Sequence, residues 1–279
     1  MEKRILTEET LSAFCKELHR QEKSRATQEK YLRDIRAFRL FLQGRAVSKE
    51  QVLAYKEALQ DRGYAVRSIN SMLASLNSLF AFLGWQDCRV RSLRLQQQIY
   101  CPEEKELTKR EYLRLLEAAG GNPRLRLVMQ TICSTGIRVS ELRHFTMEAV
   151  RRGEVTVRCK GKTRTILLPG KLRKLLLSYG AKQGISGGVI FRNANGAPMS
   201  RGSIWEQMKK LCRKAGVDAS KVFPHNLRKL FARTFYGIEK DIAKLADILG
   251  HSSINTTRIY IMSTGAEHRQ KIERLGLLL

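Results

Sequence analysis

Two stretches in the last third of the chain carry residue types suited to phosphate chemistry. Pro224-His225-Asn226-Leu227-Arg228 sets a histidine and an arginine three residues apart, and Leu249 to Tyr260 sets His251 nine residues before a tyrosine. Breaking a phosphodiester without metal or water needs a nucleophile for phosphorus and a proton for the leaving oxygen. It also needs fixed donors for the non-bridging oxygens as charge builds on them. Tyrosine serves as nucleophile because a phenol ionises more readily than an alkyl hydroxyl, and its ester conserves the energy of the broken bond. Arginine serves as the clamp because its planar fork meets two oxygens and keeps its charge.

Two further islands supply matching groups. In Ser134-Thr135-Gly136-Ile137-Arg138-Val139-Ser140-Glu141-Leu142, Arg138 follows a glycine turn at an expected helix start, where backbone N–H groups also point outward. Glu141 follows three residues later and is placed to orient a neighbouring cation. The other island, Cys159-Lys160-Gly161-Lys162-Thr163-Arg164, is the basic tip of an expected β-hairpin. Val155, Val157 and Cys159 alternate into it, and Arg164, Ile166 and Leu168 alternate out.

Positioning these islands requires a scaffold, and helical periodicity dominates the rest of the chain. Leu11, Phe14 and Leu18 predict a first helix over residues 7–20. A second is expected from Thr27, with Tyr31, Ile35, Phe38 and Leu42 as its apolar stripe and Lys30, Arg33, Arg36 and Arg39 opposite, a face suited either to phosphates or to solvent. A third is capped by Ser48 with Gln51 three residues on, and a fourth spans about 66–83. Residues 1–95 therefore read as a four-helix domain. Residues 96–106 are polar, contain Pro102 and lack periodicity, and are expected to be a linker. The second domain, 107–279, opens with a capping box and hydrophobic staple in Leu107-Thr108-Lys109-Arg110-Glu111-Tyr112. Helices are expected over 123–134 and from Val139, followed by the hairpin, a turn at Asn195-Gly196 and more helices. The fold class is mainly α with a small β-hairpin.

The charge supports a polyanionic partner. Of 279 residues, 52 are Lys or Arg and 26 Asp or Glu, a net charge of +26, and nucleic acid is the first reading of such an excess. Beyond position 100 lie 34 of the basic and 15 of the acidic residues, so both parts are basic. The six scattered cysteines form no CxxC pair, which argues against zinc and for reduced thiols. No signal peptide and no apolar run of membrane-spanning length is visible, and a cytoplasmic location follows as an expectation. Trp85 and Trp205 are read as core or interface residues, and His19, His144 and His268 as structural.

Together the islands resemble the tyrosine recombinases, also called the phage integrase family, over nearly the whole chain, and compact two-domain Xer-like members in particular. Thr-Gly-Ile-Arg-Val-Ser-Glu-Leu resembles the family's first-arginine box, Lys-Gly-Lys-Thr-Arg its hairpin lysine segment, and Pro-His-Asn-Leu-Arg its HxxR box. Leu-Gly-His-Ser-Ser-Ile-Asn-Thr-Thr-Arg-Ile-Tyr is similar to its second-histidine and nucleophile box. Residues Thr27 to Leu42 look like the entry helix of its SAM-like core-binding domain. The resemblance implies that Tyr260 attacks to form a 3′-phosphotyrosyl link, that Arg138 and Arg228 clamp the phosphate, and that Lys160 protonates the leaving 5′-oxygen. It further implies that His225 handles the nucleophile's proton, that His251 hydrogen-bonds the phosphate and that Glu141 supports them.

The hairpin segment is one residue shorter than the family's commonest form, so Lys162 stays open as the acid. Ile261-Met262 follows the tyrosine where a polar pair is usual, and Lys229 stands where histidine is frequent. Lys30, Arg33, Arg36, Arg39, Lys162 and Arg164 are the expected DNA contacts. The implied partner is double-stranded DNA, bound by four protomers on two sites that exchange strands through a Holliday junction, with no metal or other cofactor. The tail from Glu267 to Leu279, with Ile272, Leu275 and a terminal Leu277-Leu278-Leu279, is expected to insert into a neighbouring protomer or to pack on its own domain. Two other functions fit parts of the pattern: a DNA-binding scaffold without catalysis, and a type IB topoisomerase.

Overall fold

The computed structural model describes residues 4–95, 103–159 and 162–275. They fall into two compact units divided between Gln97 and Gln98.

The first unit is built from four helices: α1 (Glu8–Arg20), α2 (Arg25–Leu42), α3 (Lys49–Asp61) and α4 (Val66–Phe82). Each turns its apolar stripe inward, so that Phe14, Phe38, Val52, Leu73 and Phe80 meet in one core. The second helix starts earlier than expected from Thr27. Ser24 is its N-cap and accepts from the Thr27 backbone N–H, satisfying a donor that the first turn leaves unpaired. Ser48 caps α3 as its spacing predicts, accepting from Gln51 N.

Seven helices and a hairpin enclose the core of the second unit or lie along it. They are α5 (Lys109–Ala118), α6 (Pro123–Thr135), α7 (Met147–Arg152), β1 (Glu154–Cys159), β2 (Lys162–Leu167), α8 (Gly170–Lys182), α9 (Arg201–Ala215), α10 (Pro224–Glu239) and α11 (Ile242–Leu249). Two short helices follow, α12 (Ile254–Ile261) and α13 (Gly265–Glu273). The capping box expected at Thr108 and Glu111 is complete in both directions.

The helix expected from Val139 is a 3₁₀ segment, Val139–His144. Leu142 within it and Phe145 at its C-cap are both buried. β1 and β2 pair antiparallel with Val155 opposite Ile166 and Val157 opposite Arg164. Residues 160 and 161, between the strands, lie outside the described residues, as do 96–102 of the expected linker. The end of that stretch is fastened to the second unit: Glu103–Lys105 forms a 3₁₀ turn, and buried Glu106 is ion-paired with Lys229 and Arg233.

A small separate cluster joins α10, α11 and α12 through Ala232, Leu245, Leu249 and Tyr260. It packs these three helices against one another. Among the described residues no helix is long and apolar enough to cross a membrane.

Candidate active site

Arg228 is the centre of the site. It sits one turn after His225 at the start of α10, where Pro224 occupies the first helical position, so both side chains leave the same face. Its side chain is 1% exposed. The fork donates to Gly136 O at 2.6 Å and to Leu249 O at 2.7 Å, and Nη2 lies 2.9 Å from His251 Nε2. Gly136 has φ +64°, and a Cβ there would lie 2.3 Å from Phe231 Cδ1. Only glycine lets α10 pack this closely on the end of α6, which is what brings that carbonyl within reach of Arg228.

Two other arginines converge on the same loop. Arg138 donates to Gly250 O at 3.3 Å, and Arg164 donates to Ile248 O. Three consecutive carbonyls, those of residues 248, 249 and 250, are thus each met by a different arginine. They are the end of α11 and its cap, where a helix leaves carbonyls unpaired and its dipole turns negative. Such dipoles hold a cation in place without cancelling its charge, as a carboxylate would. A single carboxylate serves the cluster. Buried Glu141 accepts from Arg138 at 3.1 Å through Oε1 and from Arg164 at 2.6 Å through Oε2, and Oε2 also accepts from the Arg138 backbone N–H at 2.7 Å. Burial and the neighbouring Arg138 draw the Arg228 guanidinium down to about 10, and it stays a cation at neutral pH.

Tyr260 lies between the two histidines. Its ring is 5.0 Å from that of His225 and 5.0 Å from that of His251, and the Arg228 guanidinium sits 5.7 Å from its centroid. Ser253 caps α12, and Thr257 and Tyr260, three apart, are its buried residues. Thr257 Oγ1 is 2.9 Å from His251 Nδ1. Desolvation first, then Arg228, Arg138 and Arg164, push the His251 imidazole down to about 4, so the ring is neutral near pH 7. Because Nε2 faces an arginine donor, Nδ1 must carry the proton and donate it to Thr257. His225 stands at the solvent edge. Partial desolvation lowers it too, with Arg228, Lys229 and Arg138 adding repulsion.

A cleft of about 650 Å³ opens onto this cluster, lined by Arg138, Ser140, Arg201, Trp205, His225, Arg228 and Tyr260. The structure therefore brings together Arg138, Glu141, His225, Arg228, His251 and Tyr260. Lys160 lies outside the described residues, and Lys162 is described only as the first residue of β2.

Arg164, expected as a DNA contact, is instead drawn inward onto Glu141 and Ile248, because it faces inward with Val155, Val157 and Ile166. In the first unit Lys30 is likewise turned in. It pairs with buried Asp34 at 2.6 Å and donates to Ser75 Oγ at 2.9 Å. Arg39 pairs with Glu8 at 2.5 Å, whereas Arg36 is exposed, and Arg33 is exposed with only a 3.6 Å contact to Asp34. The tether at Thr257 and the cleft residue Arg201 belong to none of the expected site residues, and Trp205 also lines the cleft. Trp205, read as core or interface, is exposed on α9 with Lys209 over its ring. Among the described residues no cluster of His, Cys, Asp and Glu is placed to hold a metal ion.

Comparison with known proteins matches residues 105–267 to the phage integrase family and residues 11–87 to the phage integrase N-terminal SAM-like domain. Tyrosine recombinase XerA of Pyrococcus furiosus is 31% identical, the match covering 100% of this chain and 98% of the relative. Tyrosine recombinase XerD of Vibrio cholerae is 28% identical over 74% of each chain. The structure of lambda integrase residues 75–356, a dimer bound to a COC′ core site, superposes with a TM-score of 0.75 at 21% identity, covering 94% of this chain and 96% of that one. The XerA recombinase structure superposes with a TM-score of 0.55 at 23% identity, covering 98% and 100%.

Proposed function

The chain belongs to the phage integrase family of tyrosine recombinases, and from that premise we propose that it is a site-specific DNA recombinase in which Tyr260 cuts and rejoins DNA strands. The observation that carries this reading is the packing of Tyr260 between His225 and His251 over Arg228, in one cleft with Arg138. In cleavage the Tyr260 oxygen bonds to phosphorus and its proton passes to His225, which its depressed basicity keeps free to accept it. The bond from phosphorus to O5′ breaks, the electron pair leaves with O5′, and Lys160, or Lys162 in its place, returns a proton to it. The product is a 3′-phosphotyrosyl ester and a free 5′-hydroxyl. Rejoining runs the same steps in reverse with a 5′-hydroxyl from the partner duplex, and a Holliday junction links the two exchanges.

Arg138 and Arg228 clamp the non-bridging oxygens. The carbonyls of residues 136, 249 and 250 hold them in place beforehand, so little reorganisation is needed as charge develops. His251 joins the clamp when an anionic phosphate offsets the arginine repulsion that, after desolvation, keeps its ring neutral. Residues 1–95 and 107–279 act as two DNA-gripping domains joined by 96–106, with Arg33 and Arg36 the most available phosphate contacts of α2. The assembly is a homotetramer on two DNA sites, its protomers linked by exchange of the tail after Glu267. The exposure of Ile272 and Leu275 on and after α13 supports that exchange. The protein works in the cytoplasm, at the nucleoid.

The deciding experiment traps covalent protein–DNA adducts in the host cell and sequences the attached DNA. The expected result is one recurrent site joined through a 3′-phosphate, absent with Tyr260→Phe. Adducts spread without sequence preference, with plasmid relaxation and no exchange between sites, would make the protein a topoisomerase. No adduct at all would leave a DNA-binding scaffold.

A further inference from the structure

Arg164 joins three segments that the proposed chemistry must keep together. It stands on β2 opposite Val157, four residues from Lys160 in sequence. Its Nη2 donates to Glu141 Oε2 at 2.6 Å and its Nη1 to Ile248 O. Its aliphatic stem covers Gly250, where a Cβ would lie 2.9 Å from Arg164 Cδ and 3.0 Å from Nε. Gly250 has φ +64°, a conformation glycine adopts without cost. One side chain therefore ties the hairpin to the carboxylate behind Arg138 and to the loop that precedes His251.

The hairpin needs such a tie. A two-stranded ribbon is marginally stable alone, and β1 and β2 form a sheet of only two strands. The buried Val155, Val157 and Ile166 anchor its base and middle. Arg164 lies two residues after the first residue of β2, so its bonds fasten the hairpin close to its tip. Lysine could not replace it, because a single ammonium on a flexible stem cannot span a carboxylate and a carbonyl in two fixed directions.

We infer that Arg164 is a positioning residue for the leaving-group proton, holding the hairpin so that its lysine meets O5′ while Arg138 and Arg228 hold the phosphate. The inference rests on the reading that a hairpin lysine is the acid. It replaces the expectation that Arg164 touches DNA.

The test uses the DNA site recovered by adduct trapping, made in two forms: all-oxygen, and with sulfur in place of the scissile 5′-bridging oxygen. A thiol is far more acidic than an alcohol, so a thiolate departs without a proton and the acid becomes dispensable. Single-turnover cleavage is measured for Arg164→Ala, Arg164→Lys, Lys160→Ala, Lys162→Ala and Arg228→Ala, with DNA affinity and thermal melting alongside. Arg164→Ala is expected to slow all-oxygen cleavage by ~30-fold or more and to come within ~3-fold of the parent on the sulfur substrate, with DNA affinity retained. Arg164→Lys should show the same pattern more weakly, and it carries the test if the alanine variant does not fold. Arg228→Ala should stay slow on both substrates.

If a lysine variant recovers on sulfur but neither Arg164 variant does, Arg164 does not act through the acid and the inference fails. The inference also fails if Arg164→Ala cleaves the oxygen substrate at the parent rate. If neither lysine variant recovers, the acid assignment itself fails and the inference goes with it.

Discussion

Two regions of the molecule use the same cations in opposite ways. Around the cleft, Arg138, Arg164 and Arg228 are held by backbone carbonyls, and Arg138 and Arg164 share one carboxylate, Glu141. On α2, Lys30 and Arg39 are paired with Asp34 and Glu8, while Arg36 is exposed and so is Arg33, whose contact with Asp34 is a looser 3.6 Å. Carbonyl dipoles fix an arginine and leave its charge available, whereas a carboxylate fixes it and cancels the charge. The cleft thus keeps a rigid excess of positive charge, and that is what transition-state stabilisation requires. The helix face offers mobile charges suited to phosphate contacts that add affinity but carry no base sequence. The comparison separates a site that acts on a phosphate from a surface that counts phosphates.

The largest expected effect is at the nucleophile. Tyr260→Phe removes one oxygen from a packed cluster and should abolish covalent adduct formation, while filter binding to the same DNA changes by less than ~3-fold. Arg228→Lys comes next. Lysine cannot reproduce a fork that meets Gly136 O and Leu249 O together, so single-turnover cleavage at saturating DNA should fall by ~10²-fold or more with affinity nearly kept. If affinity and cleavage fell equally, the cleft would be a binding surface like the other and the contrast would break. For α2 the prediction reverses. Arg33→Gln with Arg36→Gln should lower DNA affinity by ~10-fold near physiological salt and reduce the slope of log K against log salt by about 2, leaving the bound cleavage rate alone. Lys30→Gln should leave that slope nearly unchanged and instead destabilise the first unit by about 2 kcal/mol in denaturant melts, because buried Asp34 then keeps only the Ser75 hydroxyl and the more distant Arg33.

Much of this arrangement is legible in the sequence. The apolar stripes set the helices, and the short boxes hold Arg138, Glu141, His225, Arg228 and His251, the five groups that meet around Tyr260; Lys160, expected with them, lies outside the described residues. What escaped was direction. Lys30, Arg33, Arg36 and Arg39 step around α2, and a count of charges does not reveal that buried Asp34, one turn from Lys30, claims it. Arg164 did carry a signal: it occupies the inward phase of an alternation whose other members are apolar, which marks a residue pointing into the core. Thr257 was illegible for a different reason. Its bond to His251 depends on how the turn between α11 and α12 folds back, and that turn is set by Gly250 and by the three arginines that hold its carbonyls. Such contacts are tertiary, and no local spacing encodes them.

The smallest effect probes the cleft's excess charge directly. His251 is depressed to about 4 in the folded protein by desolvation and by three arginines, against an ordinary value near 6.5. Between those two pH values the unfolded chain binds a proton that the folded chain does not. Stability therefore rises with pH across that window. The contribution is fully present above pH 6.5 and is lost as pH falls towards 4. For a ring that is partly exposed, solvent screening reduces the effect to on the order of 1 kcal/mol. The second unit of the free protein should therefore melt at lower temperature at pH 5 than at pH 7, and His251→Gln should flatten that dependence. If arginine charge dominates the depression, DNA binding will lift the imidazole, because phosphate offsets the cations, and NMR titration of the ring in the complex will show protonation at higher pH than in the free protein. If burial alone dominates, closing DNA over the ring will leave it as low or lower, and the cleft's charge will prove to be compensated after all, like that of the paired residues on α2.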